Sequence, residues 1–283
     1  MFITTQAPQD PKILALIPIL ADASQILLKE YQNYCAGREF KIEEKSDHSP
    51  VTQADLKVNH YLLAQLAKLT PELPVISEES DYSDRHDWAR CWMLDPLDGT
   101  KEFIHQRDEF TINLSLIENH QTIFSVIVVP TAQVVYLGYL AELPYKYSFA
   151  EQIWQRYSAV EHQQSDQIQV GLSHSSKNPK YQQYITYLEQ EHAVIRREAG
   201  SAYKFCMMLE GEIDIYPRFH PTSEWDTSAG QGLLESIGGG LLSLAAEPFR
   251  YNQRQDILNA GFIAFRNAEQ RQLALDALKN VHF

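Results

Sequence analysis

Between Phe110 and Tyr139 three strand-length apolar runs follow one another with very short polar breaks, and this stretch limits the fold more tightly than any other. The runs are Phe110 to Ile117, Thr122 to Val129 and Val134 to Tyr139, separated at Asn119-His120 and Pro130-Thr131. Parallel neighbours need a crossover of about a dozen residues or more, so strands joined this closely must pair antiparallel. The stretch therefore predicts a meander. Two shorter apolar runs precede it, Pro74 to Ser77 and Cys91 to Leu94, and each leads directly into carboxylates.

Helical spacing flanks this sheet. Ile13, Leu16, Ile17, Leu20, Ala23, Leu27 and Tyr31 recur at a helical period over Pro11 to Tyr34, with Pro18 as a candidate kink. Phe40 and Ile42 alternate with charges, as in a half-buried strand. A second helix is expected from Thr52 to Leu69, opened by Thr52 and Asp55 as a capping box. After Tyr157 the pattern changes to strands and helices in alternation. Strands are expected at Ile168 to Leu172, Ala193 to Ile195, Ile213 to Tyr216 and Phe262 to Phe265. Helices are expected at Pro179 to Gln190, Ser201 to Leu209, Trp225 to Ile237 and Ala268 to Val281, the third stopped by Gly238-Gly239-Gly240. The expectation is an α/β chain in two halves: 1–157, α+β, and 158–283, α/β, with the polar stretch Glu151 to Gln167 as boundary.

Charge and cysteine content exclude several functions. With 24 Lys plus Arg against 37 Asp plus Glu, the formal charge is −13, which gives no footprint for polymeric nucleic acid. An anionic substrate would have to be attracted by bound cations rather than by the bulk field. Cys35, Cys91 and Cys206 are odd in number and widely spaced, which fits neither a disulfide framework nor a zinc site. The longest apolar runs read as strand-length, so no transmembrane segment is expected, and Met1 opens a polar segment rather than a signal core. The location expected is cytoplasmic, with peripheral association with the inner membrane left open. The chain has no P-loop, no G-x-G-x-x-G, no H-E-x-x-H and no G-x-S-x-G.

Four acidic features carry the chemistry. In Asp95-Pro96-Leu97-Asp98-Gly99-Thr100, two aspartates three apart across a turn can aim both carboxylates into one cavity suited to a hard cation. Gly99 would let backbone N–H groups approach an anion. Taken alone, this hexapeptide reads equally well as a surface turn. Glu78-Glu79 alone reads as a solvated acidic patch, Asp226 as a helix cap and Asp55 as the partner of Thr52.

The combination is what discriminates. Val51 to Asp55, Ile76 to Glu79, Asp95 to Thr100 and Trp225 to Gly230, in that order, resemble the motif set of the inositol monophosphatase superfamily of lithium-sensitive phosphatases. Within it, Asp95 to Ile104, Glu109 to Asn113 and Tyr216 to Phe219 look most like the CysQ-type 3′(2′),5′-bisphosphate nucleotidases, enzymes of sulfur metabolism. The resemblance implies a layered αβαβα sandwich and two or three Mg²⁺ ions. Glu78, Asp95 and the Leu97 carbonyl would hold one ion; Asp95, Asp98 and Asp226 would hold the second. Thr100 with Asp55 would orient the attacking water, Glu78 also counting among the catalytic residues.

The substrate implied is a small phosphorylated nucleotide, adenosine 3′,5′-bisphosphate, touched by Leu97, Asp98, Gly99, Thr100, Ser201, Lys204, Arg218 and Asp226. Lys204 and Arg218 read equally as an exposed helix face and a surface charge. Gly171 to Ser175 stands where relatives carry a Ser-Arg-Ser-His-like segment; the arginine is missing, and His174 by itself reads as a plain loop histidine. An inositol or other sugar monophosphatase stays open as the alternative, as do a non-catalytic metal- or nucleotide-binding protein and a purely structural interaction protein. Both monomer and homodimer stay open as well.

Overall fold

The structure, a computed structural model, describes residues 1–45, 49–158, 167–174, 176 and 178–282. Ser175 and residues 159–166, on which parts of the histidine segment and of the expected boundary fall, lie outside the described residues.

The chain runs β1 (Phe2–Thr4), α1 (Pro11–Cys35), β2 (Ile42–Glu44), β3 (Pro50–Thr52), α2 (Gln53–Leu69), β4 (Val75–Ser77), β5 (Arg90–Asp98) and α3 (Thr100–Ile104). Five strands follow: β6 (Thr111–Glu118), β7 (Gln121–Val129), β8 (Val134–Tyr139), β9 (Tyr145–Ser148) and β10 (Ile153–Tyr157). Next come β11 (Gln167–Leu172), α4 (Pro179–Leu188), β12 (Ala193–Glu198), α5 (Tyr203–Glu210), β13 (Ile215–Arg218) and β14 (Thr222–Ser223). The chain closes with α6 (Ser228–Glu235), β15 (Gly240–Ser243), β16 (Leu258–Asn259), β17 (Phe262–Phe265) and α7 (Ala268–Lys279).

The meander is present and longer than expected. An eight-stranded sheet has the order β1-β10-β9-β8-β7-β6-β5-β4, antiparallel except for the parallel pair β4–β5. Strands β9, β10 and β1 were not expected, because their polar, aromatic-rich sequences lack a continuous apolar run. A five-stranded sheet, β12-β11-β13-β17-β15, is parallel at β12-β11-β13 and antiparallel beyond. The β2–β3 hairpin is exposed on its first strand, so Ile42 is a surface residue rather than half-buried.

Two-residue periodicity divides the side chains of the large sheet between two cores. Trp92, Leu94, Ile112, Leu114, Leu116, Phe124, Val126 and Val128 face α1 and α2. Cys91, Met93, Ile117, Ile127 and Val129 face α5, α6 and the inner surface of the second sheet. Ile168, Val170, Ile215 and Ile263 on its outer surface pack against α4 and α7. The result is the αβαβα layering that the family resemblance implied. Each fully buried Leu, Ile or Phe contributes about 1.5–3 kcal/mol.

By length and composition α1 could cross a membrane, contrary to the expectation that every long apolar run is strand-length. The polar residues interspersed along it hid its apolar content. Its buried stripe, Ile13, Leu16, Leu20, Ala23, Leu27 and Tyr31, packs on α2 and the large sheet, and the helix continues through Pro18.

Candidate active site

The metal-like motif is part of β5, where the sequence had suggested a turn after it. In a regular strand, residues three apart point to opposite faces. Here Asp95 pairs with Asn113 and Asp98 with Thr111, so β5 carries one extra residue opposite β6, a β-bulge. The extra residue turns both carboxylates to the face that carries Cys91 and Met93, toward the helical layer between the sheets. Asp95 Oδ1 accepts from the Leu97 N–H (3.0 Å). Asp98 Oδ2 accepts from Asn113 Nδ2 (3.1 Å) and from the Ala202 N–H (2.6 Å). Gly99 then adopts φ +96° and opens α3; a Cβ there would sit 3.0 Å from Ser201 Cβ, so both the conformation and the space call for glycine.

Asp226 comes from the other half of the chain. It lies in the turn between β14 and α6 rather than inside a helix beginning at Trp225. Its Oδ2 accepts from the Thr222 hydroxyl and from the Ser223 N–H (2.9 Å), which explains why the turn replaces the expected first helical turn. Ligand oxygens of Asp95, Asp98 and Asp226 all fall within 4.8 Å of one another. Glu78, just after β4, is held by Lys45 Nζ at 2.7 Å, and the same ammonium reaches Glu79 at 2.5 Å. Lys45 had no sequence signal as a site neighbour.

The carboxylates repel one another. Burial pushes the Asp95 carboxyl well above its ordinary range, and Glu78, Asp98 and Asp226 add to the push. Asp98 is raised to about 7 by burial and then by Asp226. Glu78 is raised to about 7 by burial, with Lys45 opposing and Asp226 adding. A set of oxygen ligands with surplus negative charge, Asp95 buried and the others part-buried, is the donor chemistry a hard cation requires, so these residues fit a metal site.

The expected cap and the expected catalytic pair share one residue. Asp55 Oδ2 accepts from the Thr52 N–H (2.8 Å) and the Thr52 hydroxyl (2.6 Å), completing the capping box of α2. Its Oδ1 accepts from the Thr100 hydroxyl at 3.2 Å. Burial raises the Asp55 carboxyl to about 6 despite the Thr52 hydrogen bonds.

Lys204 and Arg218 lie beside the carboxylates, and neither is the exposed group the sequence allowed. Lys204 is 0% exposed; its Nζ donates to the Ala199 carbonyl (2.6 Å) and stands 4.8 Å from the centre of the Tyr216 ring. Burial lowers it to about 7, the Arg218 guanidinium adding to the effect. Arg218 donates toward Tyr216 Oη (3.5 Å) and the Pro221 carbonyl (3.3 Å). Ser201 precedes α5 with φ +46° instead of starting the helix, because its Oγ donates to the Glu109 carbonyl (2.7 Å). His174 is likewise no plain loop histidine: its Nε2 donates to Glu109 Oε2 at 2.6 Å. Glu109 entered the sequence reading only within the resemblance and not as a site neighbour, because its partners His174 and Gly200 lie 65 and 91 residues away along the chain.

Comparison with known proteins bears on the fold and the family. The inositol monophosphatase family model matches residues 9–281. The chain is 34% identical over 242 residues to the 3′(2′),5′-bisphosphate nucleotidase CysQ of Escherichia coli K12, covering 82% of this chain and 91% of that protein. The Salmonella typhimurium CysQ is 35% identical over 241 residues, with the same coverage. The crystal structure of CysQ from Bacteroides thetaiotaomicron superposes with a TM-score of 0.75 at 32% identity, covering 90% of this chain and 97% of that one. At 18% identity, the Thermotoga maritima IMPase shares the fold with a TM-score of 0.75. With the family model matching nearly the whole chain and the layered fold shared with the CysQ structure, this chain belongs to the inositol monophosphatase family.

Proposed function

We propose that the protein is a Mg²⁺-dependent 3′(2′),5′-bisphosphate nucleotidase that removes the 3′-phosphate of adenosine 3′,5′-bisphosphate, leaving AMP and phosphate. The observation that carries this reading is the convergence of Asp95, Asp98 and Asp226 within 4.8 Å, with the Thr100–Asp55 pair alongside. Asp95, Asp98, Asp226, Glu78 and the Leu97 carbonyl would hold the ions, two or three in number. When bound, the cations supply Lewis-acid charge that activates water and neutralises the leaving oxygen.

The residues of the chain supply direction and a proton acceptor. The Thr100 hydroxyl lies 3.2 Å from Asp55 Oδ1 and 3.3 Å from the Leu97 carbonyl; with that carbonyl given to a cation, its proton would go to Asp55 and its lone pairs could accept from an attacking water. Thr52 occupies Asp55 Oδ2 twice, so a proton relayed through Thr100 arrives on Oδ1. A carboxyl raised to about 6 is matched to accept a proton near neutrality. The N–H groups of Gly99 and Thr100 open α3 without intrahelical acceptors and would hold the phosphate being transferred. Arg218, beside Asp98 and Asp226, favours a substrate with a second phosphate, and Lys204 when protonated adds to the positive potential from beneath the surface. Ser201 would add a hydroxyl contact.

The test is phosphate release with Mg²⁺ from adenosine 3′,5′-bisphosphate and from inositol 1-phosphate in parallel. A strong preference for the nucleotide is expected. Preference for the inositol ester would move the protein to the sugar monophosphatase alternative, and release from neither would overturn the enzymatic reading.

A further inference from the structure

Glu109 lies in the short connection between α3 and β6, eleven residues after Asp98, and three hydrogen bonds tie it to the other half of the chain. Its Oε2 accepts two hydrogen bonds, from the Gly200 N–H at 2.8 Å and from His174 Nε2 at 2.6 Å. Its backbone carbonyl accepts the Ser201 hydroxyl at 2.7 Å. Two residues on, the Ala202 N–H donates to Asp98 Oδ2 at 2.6 Å. From the other side Glu102 of α3 closes on the same segment, since a Cβ on Gly200 would fall 2.2 Å from Glu102 Cγ. His174 itself is braced, with Nδ1 3.6 Å from Glu198 Oε2. Residues 200–202 are therefore threaded between two glutamates, and one of those is oriented by a histidine from the end of β11.

We propose that Glu109, oriented by His174, is a positioning residue that locks residues 200–202 onto the carboxylate motif and so sets the approach of Ser201 and Lys204 to the substrate. A carboxylate accepting from a backbone amide and an imidazole at once has little rotational freedom. The segment it holds leads straight into α5, which carries Lys204 one residue after its start. Ser201 keeps φ +46° only because its hydroxyl and its neighbours are tied on both sides. No atom of Glu109 need touch the reacting phosphate. The consequence for substrate binding rests on the nucleotidase reading, whereas the clamp itself does not.

The experiment uses the full chain with Glu109→Ala, Glu109→Gln and His174→Ala. Hydrogen exchange at the amides of Gly200 and Ala202, without substrate, reads the clamp directly. Glu109→Ala is expected to speed exchange at both, and Glu109→Gln, which keeps an acceptor oxygen, to restore most of the protection. In turnover, Glu109→Ala is expected to raise KM for adenosine 3′,5′-bisphosphate about 10–100-fold, the range for residues that orient ligand groups. Its kcat/KM on p-nitrophenyl phosphate, which has no second phosphate to place, should change far less. Glu109→Ala combined with His174→Ala should cost no more than Glu109→Ala alone.

Unchanged exchange in a folded Glu109→Ala variant would overturn the proposal, and so would equal losses on both substrates. If Glu109→Ala does not fold, His174→Ala carries the same comparisons. If the wild type releases phosphate from neither compound, the nucleotidase reading falls, and exchange alone decides the clamp.

Discussion

Asp95→Asn should stabilise the metal-free protein while abolishing turnover, two effects of opposite sign from one atom. Oxygens of Asp95 lie within 4.8 Å of those of Asp98 and Asp226. At an effective dielectric constant near 20, a pair of unit charges at that distance costs about 3.5 kcal/mol. Proton uptake relieves much of this. The rise of Asp98 from 3.8 to about 7 corresponds to about 4 kcal/mol against its ionised form, shared between burial and its charged neighbours. Removing the charge of Asp95 should return about 1–2 kcal/mol of that penalty, or roughly 2–6 °C in Tm for a chain of this size. The asparagine Oδ1 can still accept from the Leu97 N–H, and its amide hydrogens meet the remaining carboxylates, so no buried polar group is orphaned. Thermal unfolding in EDTA and then in millimolar Mg²⁺ reads both effects. Wild type should gain stability with Mg²⁺ by mass action, and the variant should gain little. The reasoning fails if the variant unfolds below wild type in EDTA. It fails equally if turnover stays within about tenfold, a loss of only about 1.4 kcal/mol.

The raised carboxylates also fix the pH dependence of the metal-free protein. Asp55 at about 6 and Glu78 and Asp98 at about 7 make the folded state bind more protons than the unfolded state from about pH 4 to 7, so stability should fall as pH rises through that window. His220, held at about 4 by burial and nearby cations, and Lys204, lowered to about 7 by burial, oppose this with one proton each, Lys204 only above about pH 7. A urea midpoint in EDTA as high at pH 8 as at pH 5.5 would contradict the assignment. Thr100→Val should lower kcat about 10²–10⁴-fold with little change in Tm, while Thr100→Ser should retain most activity; equal losses in both variants would remove the hydroxyl from the mechanism. Gly200→Ala should cost about 1–3 kcal/mol through collision with Glu102, read as a lower urea midpoint, and a neutral result would show that the segment can shift freely. Lys204→Met should leave stability unchanged or higher, since burial disfavours the ammonium, while raising KM for the bisphosphate at least about tenfold; an unchanged KM would remove Lys204 from substrate binding.

What the sequence determined by itself was local. Thr52 and Asp55 are three residues apart, and the capping box they announce is present because its donors and acceptors belong to one helical turn. The meander from Phe110 to Tyr139 followed from run length and turn length, the two quantities that decide strand pairing over short distances. Asp95, Asp98, Thr100 and Asp226 were identifiable as a set because four motifs occur in order, although no single one could be told from a turn, a patch or a cap.

Tertiary structure decided the rest. Only the register of β5 on β6 shows that Asp95 and Asp98 share a face, since the bulge is a relation between two strands. Only packing shows that Lys204 is buried rather than exposed, that Glu78 meets Lys45, and that Asp226 belongs to a turn instead of a helix. Glu109 and His174 stand 65 residues apart and carry no motif that links them. Periodicity and capping follow from the geometry of a few adjacent residues, whereas contacts of that kind exist only after two sheets have closed on the helical layer between them.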